Sequence, residues 1–532
     1  MVSLSKSAFV RPLLQNTKVL CSLAKLQIIH RQKASTAVSV AEQTIFNEDH
    51  QNVKPFSEMP CVKSYPIIGS TWVYLPLIGK YDITRFHVSN FMKFQEYGKI
   101  VRENVGGRFT TVLLFDPKDI EIMFRHEGKY PVRVEIESLA AYRKMREKYF
   151  RSGGLLAIQG KEWYDLRTKV QTQLLRPKSI QSYLNQMDQV ANDMITRMIH
   201  LMDNTGEVPD FLNELYKWAL ESVALVALDA RLGCVDLEQA PNSQSQRLIV
   251  AVNDIFQGMN DLEFMPLSLW KFFPTRSWKR FVNAQDVFTE TAMDYLNKAL
   301  ERIKVSAQED REMTFLETML SKKQMDSRDV ITMILDMLMA GIDTTSHSMA
   351  FVLYHLAKNP NVQEQVYQEV RSVLPHSSKC LSVSELNQLR YVKACVKESM
   401  RLNPILQGTV RELDHEVVLS GYRVPPGVLL VSQNMVASRL EENFPEPLKF
   451  KPERWLKDEA ENKSHPFLFI PFGFGPRMCV GRRIAEQEIW LLAAKILRRF
   501  RVEYHHEDID CYTRLVNAPD KPLRYQFVER KY

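Results

Sequence analysis

Apolar positions recur with helical spacing through most of this chain. From about Asp119 to Val373 the period is mostly that of a helix, interrupted near Gly153-Gly154, Arg176-Pro177, Pro209 and Pro241. One amphipathic segment runs from about Ser327 to Lys358 and is closed by Asn359-Pro360. A second helical cluster covers about Ser384–Leu402 and stops at Asn403-Pro404. Period-two runs are short: Ile100–Val105 and Thr110–Phe115 predict a hairpin about Gly106-Gly107, and strand signals return between Val417 and Val431. The proline-punctuated stretch Pro55–Ser70 predicts an ordered loop. No internal repeat and no low-complexity segment is present. The expected fold is mainly α with small β-sheets (α+β), with residues 42–532 forming a single helix-dominated domain.

Composition adds little to this picture, but the placement of charge changes it. With 45% apolar and 25% charged residues among 532, the chain is ordinary for a globular protein with a sizeable core. Seven scattered cysteines, odd in number, do not form a disulfide framework and fit a reducing compartment. Lys6, Arg11, Lys18, Lys25, Arg31 and Lys33 precede the first acid, Glu42, so this leader carries most of the net charge of +7. The basic balance is therefore no evidence for a nucleic-acid-binding body. Arg11, Lys18 and Lys25 fall near one face of a helix, with Leu13, Leu20 and Leu23 opposite, although Leu14 and Leu26 break the pattern. Basic, Ser-containing and acid-free, residues 1–41 have the composition of a mitochondrial transit peptide, its boundary approximate; a disordered basic tail is the other reading. No apolar stretch of about 20 residues occurs in the leader, so a membrane-spanning anchor is not expected.

The most specific chemistry lies in Phe472-Gly-Phe-Gly-Pro-Arg-Met-Cys479-Val-Gly481, followed by the helical run Arg482-Arg-Ile-Ala-Glu-Gln-Glu. A cysteine where a glycine-rich turn meets a helix N-terminus is expected to be a low-pKa thiolate, because unpartnered N–H groups and the helix dipole favour negative charge there. The glycines permit a close approach of backbone to a flat ligand, and Arg477 could pair with a carboxylate on that ligand. The pattern Phe-x-x-Gly-x-Arg-x-Cys-x-Gly closely resembles the haem-ligand loop of the cytochromes P450. Four further segments stand in family order: Trp163-x-x-x-Arg167, Ala340-Gly-Ile-Asp343-Thr344-Thr, Glu398-x-x-Arg401 and Phe450-Lys-Pro-Glu-Arg454-Trp. The resemblance covers about residues 55–530.

The resemblance implies a cytochrome P450 fold and haem b with Cys479 as axial iron ligand. Phe472, Trp163, Arg167, Arg411 and Arg477 would be cofactor-binding, the Trp and the arginines at the propionates. Glu398, Arg401 and Arg454 would form a buried salt-bridged triad. Asp343 and Thr344 would be catalytic, relaying protons where O2 is activated, so that one oxygen atom enters a C–H or double bond and the other leaves as water. Read from the residues alone, Glu398-x-x-Arg401 is also common on solvated helices, and Lys393 and Lys397 are also an ordinary solvated pair. By resemblance to the mitochondrial branch, that pair, with Arg482 and Arg483, would receive an adrenodoxin-type [2Fe-2S] ferredoxin served by an NADPH reductase. The setting would be the matrix side of the inner mitochondrial membrane, with peripheral association. Segments 131–156, 255–274, 335–339, 405–409 and 515–517 would line a lipophilic pocket for a steroid, an ecdysteroid-like compound or a xenobiotic. The remaining alternatives are a haem-thiolate isomerase or peroxide-using enzyme, which commonly lacks the acid–alcohol pair, and a non-catalytic haem sensor.

Overall fold

The computed structural model describes residues 53–531 apart from 76, 107–108, 307–312, 323–324, 376–379 and 457–463, and the basic leader lies outside the described residues. The longer helices of the first half are α1 Phe86–Tyr97, α2 Pro117–Arg125, α3 Glu137–Met145, α4 Gly160–Leu175, α5 Leu184–Leu201, α6 Phe211–Leu228 and α7 Gln244–Glu263. Those of the second half are α8 Arg276–Ser306, α9 Ser327–Lys358, α10 Pro360–Val373, α11 Val383–Gln388, α12 Arg390–Leu402 and α13 Arg482–Arg499. The predicted breaks hold: α4 ends one residue before Arg176-Pro177, and Pro209 and Pro241 lie in connections.

Helix α9 organises the rest. Asp326 caps it by accepting the Arg328 N–H at 2.8 Å, and Pro360 begins α10 at the position where a missing N–H costs nothing. The sequence reads as amphipathic here, yet the helix is buried on nearly all sides, from Val330 and Leu335 through Met349 and Leu353. Two of its hydroxyls bond back within the helix: the Ser346 hydroxyl donates to Ile342 O at 2.7 Å and Ser348 to Thr344 O at 2.8 Å. Gly341, within the Ala340–Thr344 motif, has a packing cause. A Cβ there would stand 2.9 Å from Val223 Cγ2 on α6.

The cluster 384–402 is two helices rather than one. Leu389, at ψ 66°, leaves the helical region between them. A capping box joins Ser382 and Glu385 at the start of α11, while Glu369 of α10 accepts the Tyr391 and Val392 N–H groups at 2.7 and 3.0 Å to cap α12. Helical periodicity runs through both, so only the cap partner from α10 reveals the break.

Strands β1 Ile100–Val105 and β2 Phe109–Leu114 form the predicted hairpin, with Ile100 opposite Leu114. After α12 come β3 Val410–Glu412, β4 Val417–Leu419, β5 Tyr422–Val424 and β6 Leu429–Ser432. One sheet has the order β1-β2-β6-β3, with β6 parallel to β2 and β3 antiparallel to β6. Its buried face, including Val112, Leu114 and Leu430, packs on Ile120, Met123 and Phe124 of α2. The C-terminal strands β7 Phe500–Glu503, β8 Cys511–Arg514, β9 Val516–Pro519 and β10 Gln526–Glu529 form two further pairs that the hydrophobic pattern does not reveal.

Candidate active site

The loop 472–481 folds back on itself. Cys479 N–H donates to Phe472 O at 2.8 Å and Met478 N–H to Gly475 O at 3.1 Å. Gly473 and Gly475 both take φ of 73°, and a Cβ on Gly475 would meet the Glu127 carboxylate, so neither position suits another residue. Cys479 stands just ahead of α13, and the N–H groups of Gly481 and Arg482 point at its sulfur, with Arg167 and Arg482 adding positive charge. These partners do not prevail: burial pushes the thiol above its ordinary value, contrary to the thiolate expected from sequence. The site is deep, yet the cysteine surface is open, as for a side chain that faces an internal space. A cation against the sulfur is what such a thiol requires to ionise.

Arg167, Arg411 and Arg477 all converge near this loop, and Arg133, which sequence reasoning missed, joins them. Arg411 is held in a strand and paired. It lies buried in β3, its Nε donating to Glu127, which is likewise absent from the expected site. The neighbouring Glu412 N–H bonds Val132 O at 3.0 Å, which brings Arg133 alongside. Arg167 donates to Met478 O at 2.8 Å, Arg477 to Gln159 Oε1 and Ile158 O at 2.6 Å each, and Arg133 to Leu156 O at 2.7 Å. Trp163 acts as a platform, with the Arg477 guanidinium 4.4 Å and that of Arg167 5.8 Å from its ring centre. Burial and the charges of Arg133, Arg411 and Arg167 push the Arg477 pKa down to about 8. A guanidinium does not shed its proton in proteins, so the arrangement is relieved by anions instead. Glu127 reaches this group and Asp336 acts on its Arg133, while Nε of Arg477 and of Arg133 lack partners among the described residues.

On α9, Thr344 Oγ1 donates back to Ala340 O at 2.7 Å, as its position mid-helix leads one to expect. Asp343 is fully buried, and its pKa rises to about 6 through burial, opposed by Arg514. Arg514 comes from the end of β8 and carries no motif that marks it in the sequence.

Glu398, Arg401 and Arg454 come together. Arg401 grips Glu398 with two bonds of 2.9 and 2.8 Å, and Arg454 Nε reaches it at 3.2 Å. Two partners were not foreseen: Trp455 Nε1 and the Lys451 N–H also donate to Glu398, at 3.0 and 3.1 Å. On the adjoining surface, Lys397 is exposed but Lys393 is half-buried, its Nζ 4.6 Å from the Trp490 ring centre, and burial lowers its pKa. The outer-face pair is therefore unequal. Arg482 and Arg483 both turn to Glu486, at 2.9 and 3.7 Å, so their charge is partly offset. Lys393 feels Glu486 as well as Lys397, which brings the ends of α12 and α13 onto one surface.

The cytochrome P450 family model matches residues 66–527. The chain is a cytochrome P450. It is 35% identical to "Probable cytochrome P450 301a1, mitochondrial" of Drosophila melanogaster, over 90% of this chain and 87% of that one. It is 36% identical to "Cytochrome P450 302a1, mitochondrial" of the same fly, over 88% and 94%, and 32% identical to "Cytochrome P450 10" of Lymnaea stagnalis, over 90% and 87%. Members of the family are haem-thiolate monooxygenases that use O2. The residues of this P450 fit that group: an open, deep thiol in a glycine turn, and four guanidinium groups that outnumber the two carboxylates acting on them, Glu127 and Asp336, as two propionates would require.

Proposed function

We propose that this P450 holds haem b through Cys479, with Arg133, Arg167, Arg411 and Arg477 receiving the propionates over Trp163, and Phe472, at the start of the ligand loop, against the cofactor. The excess of buried guanidinium groups carries this reading. When bound, the haem supplies the dioxygen chemistry that places one oxygen atom in a lipophilic substrate. Asp343 donates protons toward that chemistry, and Thr344 orders the approach to it; both stand on α9, which packs against α13 behind the cysteine loop. Glu398, Arg401 and Arg454 hold α12 to the segment that leads into the loop. The intact acid–alcohol pair supports oxygen insertion over isomerisation.

The acid-free leader, 1–41, and the mitochondrial names of two relatives support action in mitochondria, on the matrix side of the inner membrane, with residues 42–532 as the working domain. Electrons would come from an adrenodoxin-type [2Fe-2S] ferredoxin and its NADPH reductase. Reconstitution with these proteins and a panel of sterols, ecdysteroid-like compounds and xenobiotics tests the whole. Oxidised product only with the ferredoxin supports it, and turnover on peroxide alone overturns the donor assignment. Reversing Lys397 and Arg483 to Glu is expected to slow reduction by ferredoxin about tenfold at low salt, the gap closing as ionic strength rises. Stopped-flow reduction beside an unchanged haem spectrum checks this; equal rates would remove the docking surface.

Among the described residues no helix is long and apolar enough to cross a membrane. Ile67, Leu77 and Ile78 are nonetheless exposed at 76%, 105% and 66%, and Phe272 and Phe273 at 67% each. The Phe86 and Phe264 rings, 5.7 Å apart, tie α1 to the end of α7, which leads into the Phe272 segment. Exposed apolar side chains on these segments suit shallow insertion into a bilayer. Vesicle flotation is expected to lose most of the bound protein in a Phe272→Ser, Phe273→Ser variant; undiminished flotation would refute peripheral attachment through these segments.

A further inference from the structure

Two histidines from different elements meet ring to ring at the surface. His126 closes α2, its N–H bonded to Ile122 O at 3.0 Å, and His415 lies in the connection from β3 to β4. His126 Nδ1 and His415 Nε2 stand 3.1 Å apart, the ring centres 5.3 Å apart. A hydrogen bond between neutral rings spans that distance, and so does a shared metal ion. Zinc holds imidazole nitrogens at about 2.0–2.1 Å, so two of them at a tetrahedral angle lie roughly 3.3–3.4 Å from each other.

The surroundings favour the ion. His415 Nδ1 is 2.8 Å from Asp414 Oδ1, which keeps the proton on that nitrogen and turns the Nε2 lone pair toward His126. A carboxylate behind an imidazole orients metal-binding histidines in this way. Both rings are also held in place by their neighbours. Phe124, Leu413 and Val417 share one buried apolar cluster, and Asp119 of α2 accepts the Ser420 N–H at 2.9 Å beyond β4. The nitrogens therefore need to part by only a few tenths of an ångström, and little ordering opposes binding. The His415 side chain is 46% exposed, so water reaches the pair. Among the described residues no group of three or more His, Cys, Asp or Glu side chains gathers for a metal, so water must complete the shell.

We propose that His126 and His415 form a zinc site that clamps the end of α2 to the β3–β4 connection. On binding, His126 moves its proton from Nδ1 to Nε2 through water, and both imidazoles coordinate as neutral ligands. Each side of the clamp carries one member of a pair at the guanidinium cluster. Glu127 follows His126 directly, and it accepts from Arg411, which precedes His415 on β3. The Arg411 guanidinium also lies 5.0 Å from the Phe124 ring centre. Zinc should therefore hold the cofactor cage closed. Only this last effect rests on the proposed haem seat.

The test titrates chelator-treated, haem-loaded protein with zinc chloride in a calorimeter. Saturable binding in the micromolar range is expected, with imidazole nitrogen neighbours in zinc X-ray absorption. His126→Gln and His415→Gln should each abolish it at an unchanged haem spectrum, and Asp414→Asn should weaken it about tenfold. Haem transfer to apomyoglobin should slow severalfold with zinc in the wild type and not in His415→Gln. Absent binding, or equal binding in both Gln variants, would overturn the site and leave the rings sharing a hydrogen bond. Zinc binding with unaltered haem transfer would overturn the clamp while the site stands. A chain that takes up no haem would refute the proposed cofactor, and the zinc titration would still decide the site.

Discussion

Cys479→Ala is expected to fold, to bind haem weakly and to show no thiolate-type carbon monoxide spectrum, with monooxygenase turnover at background. The fold should tolerate the change because the loop is closed by backbone bonds, Cys479 N–H to Phe472 O among them, that do not involve the sulfur. The side chain faces open space, so its loss removes little packing, and the haem-free unfolding free energy should change by less than about 1 kcal/mol. Cys479→His makes the sharper comparison: an imidazole can ligate iron but lacks the electron donation of a thiolate. Haem content should recover and turnover should not. If either variant kept wild-type turnover, another residue would have to be the ligand.

Glu398→Ala is expected to be the most destabilising single change outside the loop. Glu398 and Arg401 are both fully buried, and removal of the carboxylate leaves the Arg401 and Arg454 guanidinium groups unpaired, together with the Trp455 and Lys451 donors. Breaking a buried ion pair from one side costs about 3–5 kcal/mol, a large share of a typical net stability. Urea unfolding should show a loss in this range, or soluble yield should collapse. Glu398→Gln keeps one acceptor and should fall between. A loss under about 1 kcal/mol for Glu398→Ala would mean that the triad is not structural.

Much of the frame was legible in the chain because its signals are local. Asp326 and Asn359-Pro360 bracket α9, the glycine pair marks the β1–β2 turn, and the cysteine loop carries its own spacing. What escaped was non-local. Leu389 breaks a helix because Glu369, on another element, caps the next one. Arg133 gains meaning only when Glu412 pairs with Val132, and Lys393 turns inward toward Trp490 on a different helix. Arg514 stands 171 positions from Asp343. The thiol of Cys479 illustrates a contest of magnitudes: helix-end donors were visible in sequence, but the burial that outweighs them was not.

The crowd of guanidinium groups around Arg477 has a consequence for how the protein matures. Like charges held in the interior oppose compaction until counter-charge arrives, so a ligand that brings two negative groups binds the folded chain far better than the unfolded one and raises its stability through linkage. Cofactor loading is then expected to double as an assembly checkpoint, the loaded chain resisting unfolding and proteolysis better than the haem-free one.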